Sequence, residues 1–191
     1  NVTADAFSKS AIEKIEKENP GEHLNAERAE ALLIRAYNHF ILANIFCQAY
    51  KNEELSKQDL GIHSMTHTET EVSPKYDRST VTDTYRRIEE DLLAGLEHVS
   101  DEYYSVPKYH FNVKAAYAFA AKFYLYKRDY RQCISFANRI LGTTPSEAKA
   151  MMWDANNAKL QGNSTLEGQC WIDAKSNANL LVATTMSVQC Y

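Results

Sequence analysis

The stretch AERAEALLIRAYNHFILANIF, residues 26–46, determines the fold class of this chain. In its first half the apolar side chains recur every three or four residues, which is the period of one helix face. These side chains are Ala29, Leu33, Ala36 and Phe40. Between residues 40 and 46 almost every side chain is apolar, and a helix that is apolar all round is covered on all sides. We therefore predict a central helix over residues 24–50, with neighbours on both flanks.

The composition also favours helices. The 191 residues include 6 Gly and 4 Pro, about 5%, against roughly 12% in an average protein. A β-sandwich or barrel needs a turn signal every ~8–12 residues, and ten such residues cannot supply them. With 45% hydrophobic and 24% charged residues, the chain is typical of a globular protein that buries a core.

The charge balance argues against a nucleic-acid partner. Lys and Arg total 21 against 25 acidic residues, which gives a formal net charge of −4. The sequence contains no basic stripe to neutralise phosphates. It also contains no run of ~18 apolar residues that would span a bilayer.

Four further helices are predicted around the central one. The first spans residues 5–18 and stops before a breaker at residues 19–21, Asn-Pro-Gly. After a long polar connection at residues 51–79, the next helix begins near Thr80 and carries a single apolar stripe. The stripe consists of Val81, Tyr85, Ile88, Leu92, Leu96 and Val99. The last two helices lie between Asn112, a good N-cap residue, and Gly142, a helix-ending glycine.

Residues 112–145 fit the tetratricopeptide repeat, a helix–turn–helix unit of about 34 residues. The residues on its offsets are Tyr117, Ala121, Tyr124, Asp129, Tyr130 and Pro145. Packing explains the tyrosines Tyr117, Tyr124 and Tyr130, whereas Arg128 stands where the turn glycine is usual. Residues 24–99 are interpreted as a looser helix pair with the insertion 51–79. Residues 146–191 are an irregular, amide-rich segment, in which the apolar run 180–182 is compatible with a short strand.

Several segments, in this order, resemble the SusD/RagB family of outer-membrane, nutrient-binding lipoproteins. Residues 26–46 are similar to the family's long first repeat helix. Residues 60–92 are similar to its Gly-Ile connection and the helix start that follows. The matching positions of that helix start are Arg78, Thr80, Val81, Tyr85, Ile88, Asp91 and Leu92. The repeat pair 112–145 continues in register, and SNANLLVATTMS (residues 176–187) resembles the segment after it.

The resemblance implies an all-α, tetratricopeptide-like helical repeat scaffold with a less regular C-terminal segment. It also implies a non-enzymatic protein on the bacterial cell surface, attached to the outer membrane by a lipid anchor. The implied partners are a glycan or peptide ligand and a TonB-dependent transporter of the SusC type. Family members are more than twice as long, and the lipid-bearing cysteine is absent from the sequence. We therefore expect residues 1–191 to form a single, partial SusD-like domain.

The candidate ligand-binding residues are aromatic. A sugar ring has an apolar side that stacks on aromatic faces and many hydroxyl groups that bind amides and charges. Trp153 and Trp171 lie outside the repeat helices, among amides, and Tyr109 lies with Tyr103 and Tyr104 in the loop before residue 112. Trp153, Trp171 and Tyr109 are therefore candidates for ligand binding, with burial in the core as the competing interpretation of each tryptophan.

The sequence contains no motif for catalysis, a cofactor or a metal. His63 and His67 lie four residues apart, beside Glu69 and Glu71, but this stretch is predicted as a loop and lacks HExxH. GxSxG and glycine-rich phosphate loops do not occur. We expect no catalytic residue, no cofactor and no metal ligand.

The four cysteines form no CxxC pair and no zinc spacing. Cys47 and Cys133 lie in helical stretches, where we expect buried free thiols. A disulfide between Cys170 and Cys190 is possible on the sequence alone.

Two functions follow from these patterns. The first is a surface protein of a polysaccharide-utilisation system, which captures oligosaccharide and passes it to the transporter. The alternative is a tetratricopeptide-type adaptor that binds other proteins through a helical groove. An export signal that ends in a lipidated cysteine would distinguish the first function from the second.

Overall fold

Seven α-helices make up most of the computed structural model, which describes residues 2–18, 24–63, 75–154, 173, 175 and 179–181. In chain order they are α1 (Val2–Glu18), α2 (Asn25–Phe46), α3 (Glu53–Ser56), α4 (Val81–His98), α5 (Val113–Tyr126), α6 (Tyr130–Leu141) and α7 (Pro145–Met151). A short 3-10 helix, Pro107–Tyr109, precedes α5. Within the described ranges, β pairing is limited to one isolated bridge, Leu60–Thr80. The prediction of an all-α fold is confirmed.

Side-chain caps begin the central helices. The Thr80 side chain accepts a hydrogen bond from the backbone of Asp83 and so begins α4. Asn112 begins α5 in the same way, with its Oδ1 3.0 Å from the Ala115 nitrogen. At the other end of the second helix pair, α6 stops at Gly142, which has a φ of +77°. These caps satisfy backbone groups that the helix itself leaves unpaired.

One part of the core lies between α2 and α4, which pack along one another. The apolar stripe of α4 is buried against α2, with Ile88 and Leu92 fully inaccessible. Gly95 allows the close approach, because a Cβ atom at this position would lie 2.7 Å from Leu33 Cγ. Beside the apolar contact, the Arg35 guanidinium of α2 donates two hydrogen bonds of 2.7 Å each to the Asp91 carboxylate.

Aromatic rings connect α2 to the second helix pair. Phe40 of α2 meets Phe119, Phe123 and Tyr126 of α5 edge to face, with ring centroids 5.2–6.1 Å apart. These separations lie in the range in which aromatic pairs attract beyond their apolar burial. Tyr124 of α5 then stacks on Phe136 of α6 at 5.4 Å. The four helices α2, α4, α5 and α6 thus share one core.

The central helix ends earlier than predicted, and its last turn is not covered. Residue 47 already has extended backbone. Ile45 and Phe46 are 64% and 65% exposed, because no element in the described part of the chain packs on that side of the turn. The expectation of neighbours all round this helix was therefore wrong at its C-terminal end.

The prediction that the repeat tyrosines Tyr117, Tyr124 and Tyr130 pack in the core is wrong for one of them. Tyr124 is 3% exposed and Tyr117 is half-buried, but Tyr130 is 60% exposed. Tyr130 opens α6 on the same stripe as Ile134, one turn later, which is 61% exposed. This stripe faces away from α5, so repeat spacing alone does not bury it.

The turn between α5 and α6 departs from the repeat pattern at Arg128. Its φ is +64°, the left-handed conformation for which the repeat normally uses glycine. The chain therefore keeps the turn geometry and accepts the steric cost of a Cβ atom there.

The insertion between α2 and α4 is closed at its base. The Gly61 nitrogen donates to the Ser79 carbonyl at 2.6 Å, and the Arg78 guanidinium donates to the Gly61 carbonyl at 2.7 Å and the Phe46 carbonyl at 3.3 Å. The insertion also contains α3, a single helical turn that periodicity did not reveal. Residues 64–74 lie outside the described ranges.

The C-terminal segment is described at a few positions only. Leu180 and Leu181 lie in a bend and not in the strand considered for residues 180–182. Leu180 packs against the core, and its carbonyl accepts a hydrogen bond of 2.7 Å from Asn112 Nδ2. None of the described helices combines the length and the apolar character needed to cross a bilayer.

Candidate functional site

The loop between α4 and α5, residues 99–112, carries three of the predicted aromatic residues; we call it the tyrosine loop. Tyr103 is 71% exposed and Tyr109 is 45% exposed, whereas Tyr104 is half-buried. A single exposed aromatic residue is ordinary on a protein surface, whereas two of them in one loop, beside the partly buried Tyr104, point to a surface that could bind a ligand. The loop is therefore the candidate binding surface in the described part of the chain.

One carboxylate of α2, that of Glu30, holds the tyrosine loop. It accepts hydrogen bonds from the Tyr104 hydroxyl at 3.1 Å, from His110 Nδ1 at 3.1 Å and from the Phe111 backbone nitrogen at 3.0 Å. Because a carboxylate only accepts hydrogen bonds, the His110 proton must lie on Nδ1. A single side chain of the central helix therefore fixes three positions of the loop.

Stacking adds to this arrangement. The Tyr104 and His110 rings are parallel to within 2°, with centroids 4.1 Å apart. Burial, together with the adjacent Glu30 carboxylate, raises the pKa of the Tyr104 hydroxyl well above its ordinary value. The phenol therefore stays protonated at physiological pH and donates its hydrogen bond throughout.

Further hydrogen bonds tie the loop to the start of α5 and hold it internally. Asp101 Oδ1 accepts a hydrogen bond of 2.8 Å from the Val113 nitrogen, and Asn112 Nδ2 donates to the Pro107 carbonyl at 3.2 Å. The conformational entropy of the loop is therefore lost on folding and not on ligand binding. Such a preorganised loop holds the backbone that carries the exposed tyrosines in a fixed conformation.

This arrangement suits the binding of a ring-shaped, hydroxylated ligand. The faces of Tyr103 and Tyr109 offer stacking surfaces, and their hydroxyl groups both donate and accept hydrogen bonds. Among the described residues, no three His, Cys, Asp or Glu side chains are grouped so that they could hold a metal ion. His63 instead stacks on Tyr76 at 4.1 Å, and its partner in the sequence pattern, His67, is not among the residues described.

The predicted site residues lie in different surroundings. Tyr109 lies exposed in the tyrosine loop. Trp153 lies two residues beyond α7 and is half-buried, while Trp171 lies in a range that the structure does not describe. The sequence interpretation missed Glu30 and His110. His110 adjoins Tyr109 and so carried a signal, but Glu30 is 80 residues away and no spacing rule connects the two.

The cysteines depart slightly from expectation. Cys47 and Cys133 are free, as expected, but half-buried instead of fully buried. Cys170 and Cys190 are not described.

The described part of the chain is thus an all-α, repeat-like helical scaffold whose tyrosine loop carries two exposed aromatic side chains. Comparison with known families is more specific. Residues 6–125 match the SusD-like family described as "starch-binding associating with outer membrane". This match covers more than half of the chain, which therefore belongs to the SusD-like family.

Solved structures agree on the fold. The chain is similar to a SusD superfamily protein from Bacteroides thetaiotaomicron VPI-5482, with 23% identity, a TM-score of 0.63, and coverage of 74% of this chain and 30% of the other. A SusD-like carbohydrate binding protein from Bacteroides vulgatus ATCC 8482 is 20% identical, with a TM-score of 0.60 and coverage of 76% and 32%. A laminarin binding SusD-like protein is 20% identical, with a TM-score of 0.54 and coverage of 74% and 28%.

The chain thus spans about a third of the length of these structures. At these identities the likeness establishes the fold alone. No curated protein sequence matches the chain.

Proposed function

We propose that this chain belongs to a cell-surface protein of a polysaccharide-utilisation system. That protein captures oligosaccharide and passes it to a TonB-dependent outer-membrane transporter. The observation that supports the proposal is the tyrosine loop on a SusD-like scaffold, held by Glu30 and exposing two aromatic rings. The role is binding and transfer, without chemical change of the glycan. A lipid anchor attaches the protein to the outer membrane.

The loop favours a glycan over a peptide for a physical reason. A peptide bound along an exposed loop gains most from backbone hydrogen bonds to a strand edge or from a helix groove. The tyrosine loop offers neither, because its Phe111 nitrogen is bonded to Glu30 and the nitrogens of Tyr104, Tyr109 and His110 are bonded within the loop. Its exposed rings instead match the apolar face of a pyranose.

A glycan array of the purified protein tests the ligand class, followed by calorimetry of any glycan that binds. Removal of one stacking ring, Tyr109→Ala or Tyr103→Ala, should weaken binding by about 1–2 kcal/mol, or roughly five- to thirty-fold. Tyr130→Ala is the matched control, because Tyr130 is exposed to a similar degree on a different element. The proposal fails if no glycan binds, or if the loop variants bind as well as the Tyr130 control.

Attachment and transfer need a separate test in the native bacterium. Fractionation after labelling with a radioactive fatty acid should place the labelled protein in the outer membrane. Mild detergent extraction should then recover it with a TonB-dependent barrel protein. Recovery in the soluble fraction without label would contradict the cell-surface role.

A different observation supports the adaptor function as the second candidate. Tyr130, Ile134 and Leu141 of α6 are 60%, 61% and 42% exposed, and such a stripe can pack against a helix of another protein. The Tyr130→Ala variant distinguishes the two functions. Loss of a protein partner with unchanged glycan affinity would favour the adaptor, and unchanged protein partners would count against it.

A further inference from the structure

A cavity separate from the tyrosine loop lies where α3, α4 and the end of α5 meet. Its volume is about 190 Å³. Tyr85, Arg86 and Glu89 line it from α4, Tyr50 from the segment before α3, and Lys127 from the residue that follows α5. Pockets for drug-sized ligands measure ≈ 300–1,000 Å³, so this one suits a smaller molecule. At about 30 Å³ per water in the liquid, it has room for about six waters.

Two tyrosine rings form the base of the cavity. The Tyr50 and Tyr85 centroids are 4.8 Å apart, and the side chains are 8% and 3% exposed. Burial raises the pKa of Tyr50, and burial raises the pKa of Tyr85 to about 12. The Tyr85 hydroxyl is engaged with Asn44 of α2, whereas the Tyr50 hydroxyl remains neutral and can exchange hydrogen bonds with a ligand that carries hydroxyl groups.

The charged groups around the cavity are balanced among themselves. Lys127 donates a hydrogen bond to the Glu89 carboxylate, and Arg86 pairs with Asp83 at 3.0 Å and with Glu90 at 3.2 Å. Glu53, which also lines the cavity, pairs with Lys57 at 3.6 Å. An ionic ligand would have to compete with these pairs and would be left without a counterion. A neutral ligand can instead accept from the amine and guanidinium groups and donate to the carboxylates while the pairs stay in place.

We propose that this cavity binds one neutral sugar ring, a single hexose or the terminal hexose of a longer glycan. The sugar class of the ligand rests on the proposed function, whereas the location rests on the cavity itself. A hexose fits the combination of small volume, aromatic base and charge-balanced, hydrogen-bonding wall. The protein then has two glycan contacts, one at the tyrosine loop and one between α3, α4 and α5.

The test is a titration of the isotope-labelled protein with D-glucose, D-galactose and D-mannose, followed by amide chemical shifts. D-glucuronate and protonated D-glucosamine, which keep the ring and carry opposite charges, serve as charged probes of the same size. At least one hexose should shift the amides of Thr82 and Glu89, and neither charged probe should do so. The proposal is overturned if the charged probes shift these amides more than the hexoses do, or if no hexose shifts them.

Two neighbouring arginines of α4 provide matched variants, because both are exposed but only Arg86 lines the cavity. Arg86→Ala should raise the Kd of the hexose at least five-fold, and Arg87→Ala should leave it within two-fold. Tyr50→Phe, which keeps the ring and removes the hydroxyl, should also weaken binding. Equal effects of the two arginine variants would refute the location.

The outcomes separate this proposal from the proposed function. If glycan binding on the array depends on Tyr109 while no hexose shifts the Thr82 amide resonance, the cavity proposal fails and the proposed function stands. If hexoses shift Thr82 but no loop variant affects array binding, the tyrosine loop fails as a site and the cavity stands.

Discussion

The tyrosine loop should lose its fixed conformation when Glu30 is truncated. Glu30→Ala removes the acceptor of three hydrogen bonds, to the Tyr104 hydroxyl, His110 Nδ1 and the Phe111 nitrogen. Hydrogen bonds to a charged group contribute about 1.5–3 kcal/mol each. Water can replace part of this at a carboxylate that is 20% exposed. We expect a loss of about 2–4 kcal/mol in the free energy of unfolding, since such bonds are not additive.

Glu30→Gln removes the charge of this side chain and keeps its shape. Its amide oxygen can still accept from the Phe111 nitrogen, and its amide nitrogen can donate to the Tyr104 oxygen, which then turns its proton to water. The expected loss is therefore smaller, about 1–2 kcal/mol. Glu27→Ala is the control, because Glu27 lies on the same helix and is exposed. It should change stability by no more than about 0.5 kcal/mol.

Urea unfolding followed by circular dichroism gives these free energies, and hydrogen exchange reports on the loop itself. The Phe111 amide should exchange at least about tenfold faster in Glu30→Ala, which corresponds to about 1.4 kcal/mol or more of local stability. Glycan affinity should fall as well, although Glu30 faces the loop and not the ligand, because binding must then order the loop. Unchanged Phe111 exchange in Glu30→Ala would refute the role assigned to this carboxylate.

Three further predictions concern stability. Gly95→Ala should cost about 1–3 kcal/mol of unfolding free energy by urea denaturation, although Ala is the better helix former, because its Cβ would lie 2.7 Å from Leu33 Cγ. Asn112→Ala should cost about 1–3 kcal/mol in the same assay, since it removes both the α5 cap and the bond to the Leu180 carbonyl. The Tyr85 pKa is raised from 10.0 to about 12, so its neutral form is favoured in the folded state. Its contribution should be complete below about pH 10 and fall away as the pH rises to about 12. Tyr85→Phe should remove this share of the alkaline slope in unfolding measured against pH, while the share of Tyr104, whose pKa is also raised, stays.

Each of these has its own control. Leu93→Ala, at an exposed position of the same helix, should leave stability nearly unchanged, and a Gly95→Ala variant as stable as the parent would contradict the close packing. Asn112→Asp keeps the capping oxygen and loses the Nδ2 donor, so it should retain about half of the stability lost in Asn112→Ala. Tyr76→Phe, at an exposed ring, should keep the full alkaline slope, and a slope that Tyr85→Phe leaves equally steep would contradict the role of Tyr85.

Much of the helical architecture is predictable because it is encoded locally. The apolar stripe that begins at Val81 predicted α4, and its members Tyr85, Ile88 and Leu92 are indeed buried. The cap at Asn112 was also predicted correctly, because a capping side chain acts on its own first turn. Such features need only a few neighbouring residues.

Other features depend on contacts that no local pattern contains. The side of α2 at Phe46 is exposed because coverage depends on which elements pack there, and apolar character alone does not specify them. Tyr130 sits on a repeat offset yet faces away from the core. The connection from Glu30 to His110 spans 80 residues and arises only when α2 and the tyrosine loop meet in the fold.

The closed base of the insertion has a consequence for how the chain tolerates change. Gly61 and Ser79 are hydrogen-bonded across it, and Arg78 adds bonds to two carbonyls, so the two ends of the insertion are held together next to α2 and α4. Doubling the length of a loop with fixed ends costs only about 0.6 kcal/mol. We therefore expect residues added between His63 and Lys75 to leave the packing of α2 against α4 intact.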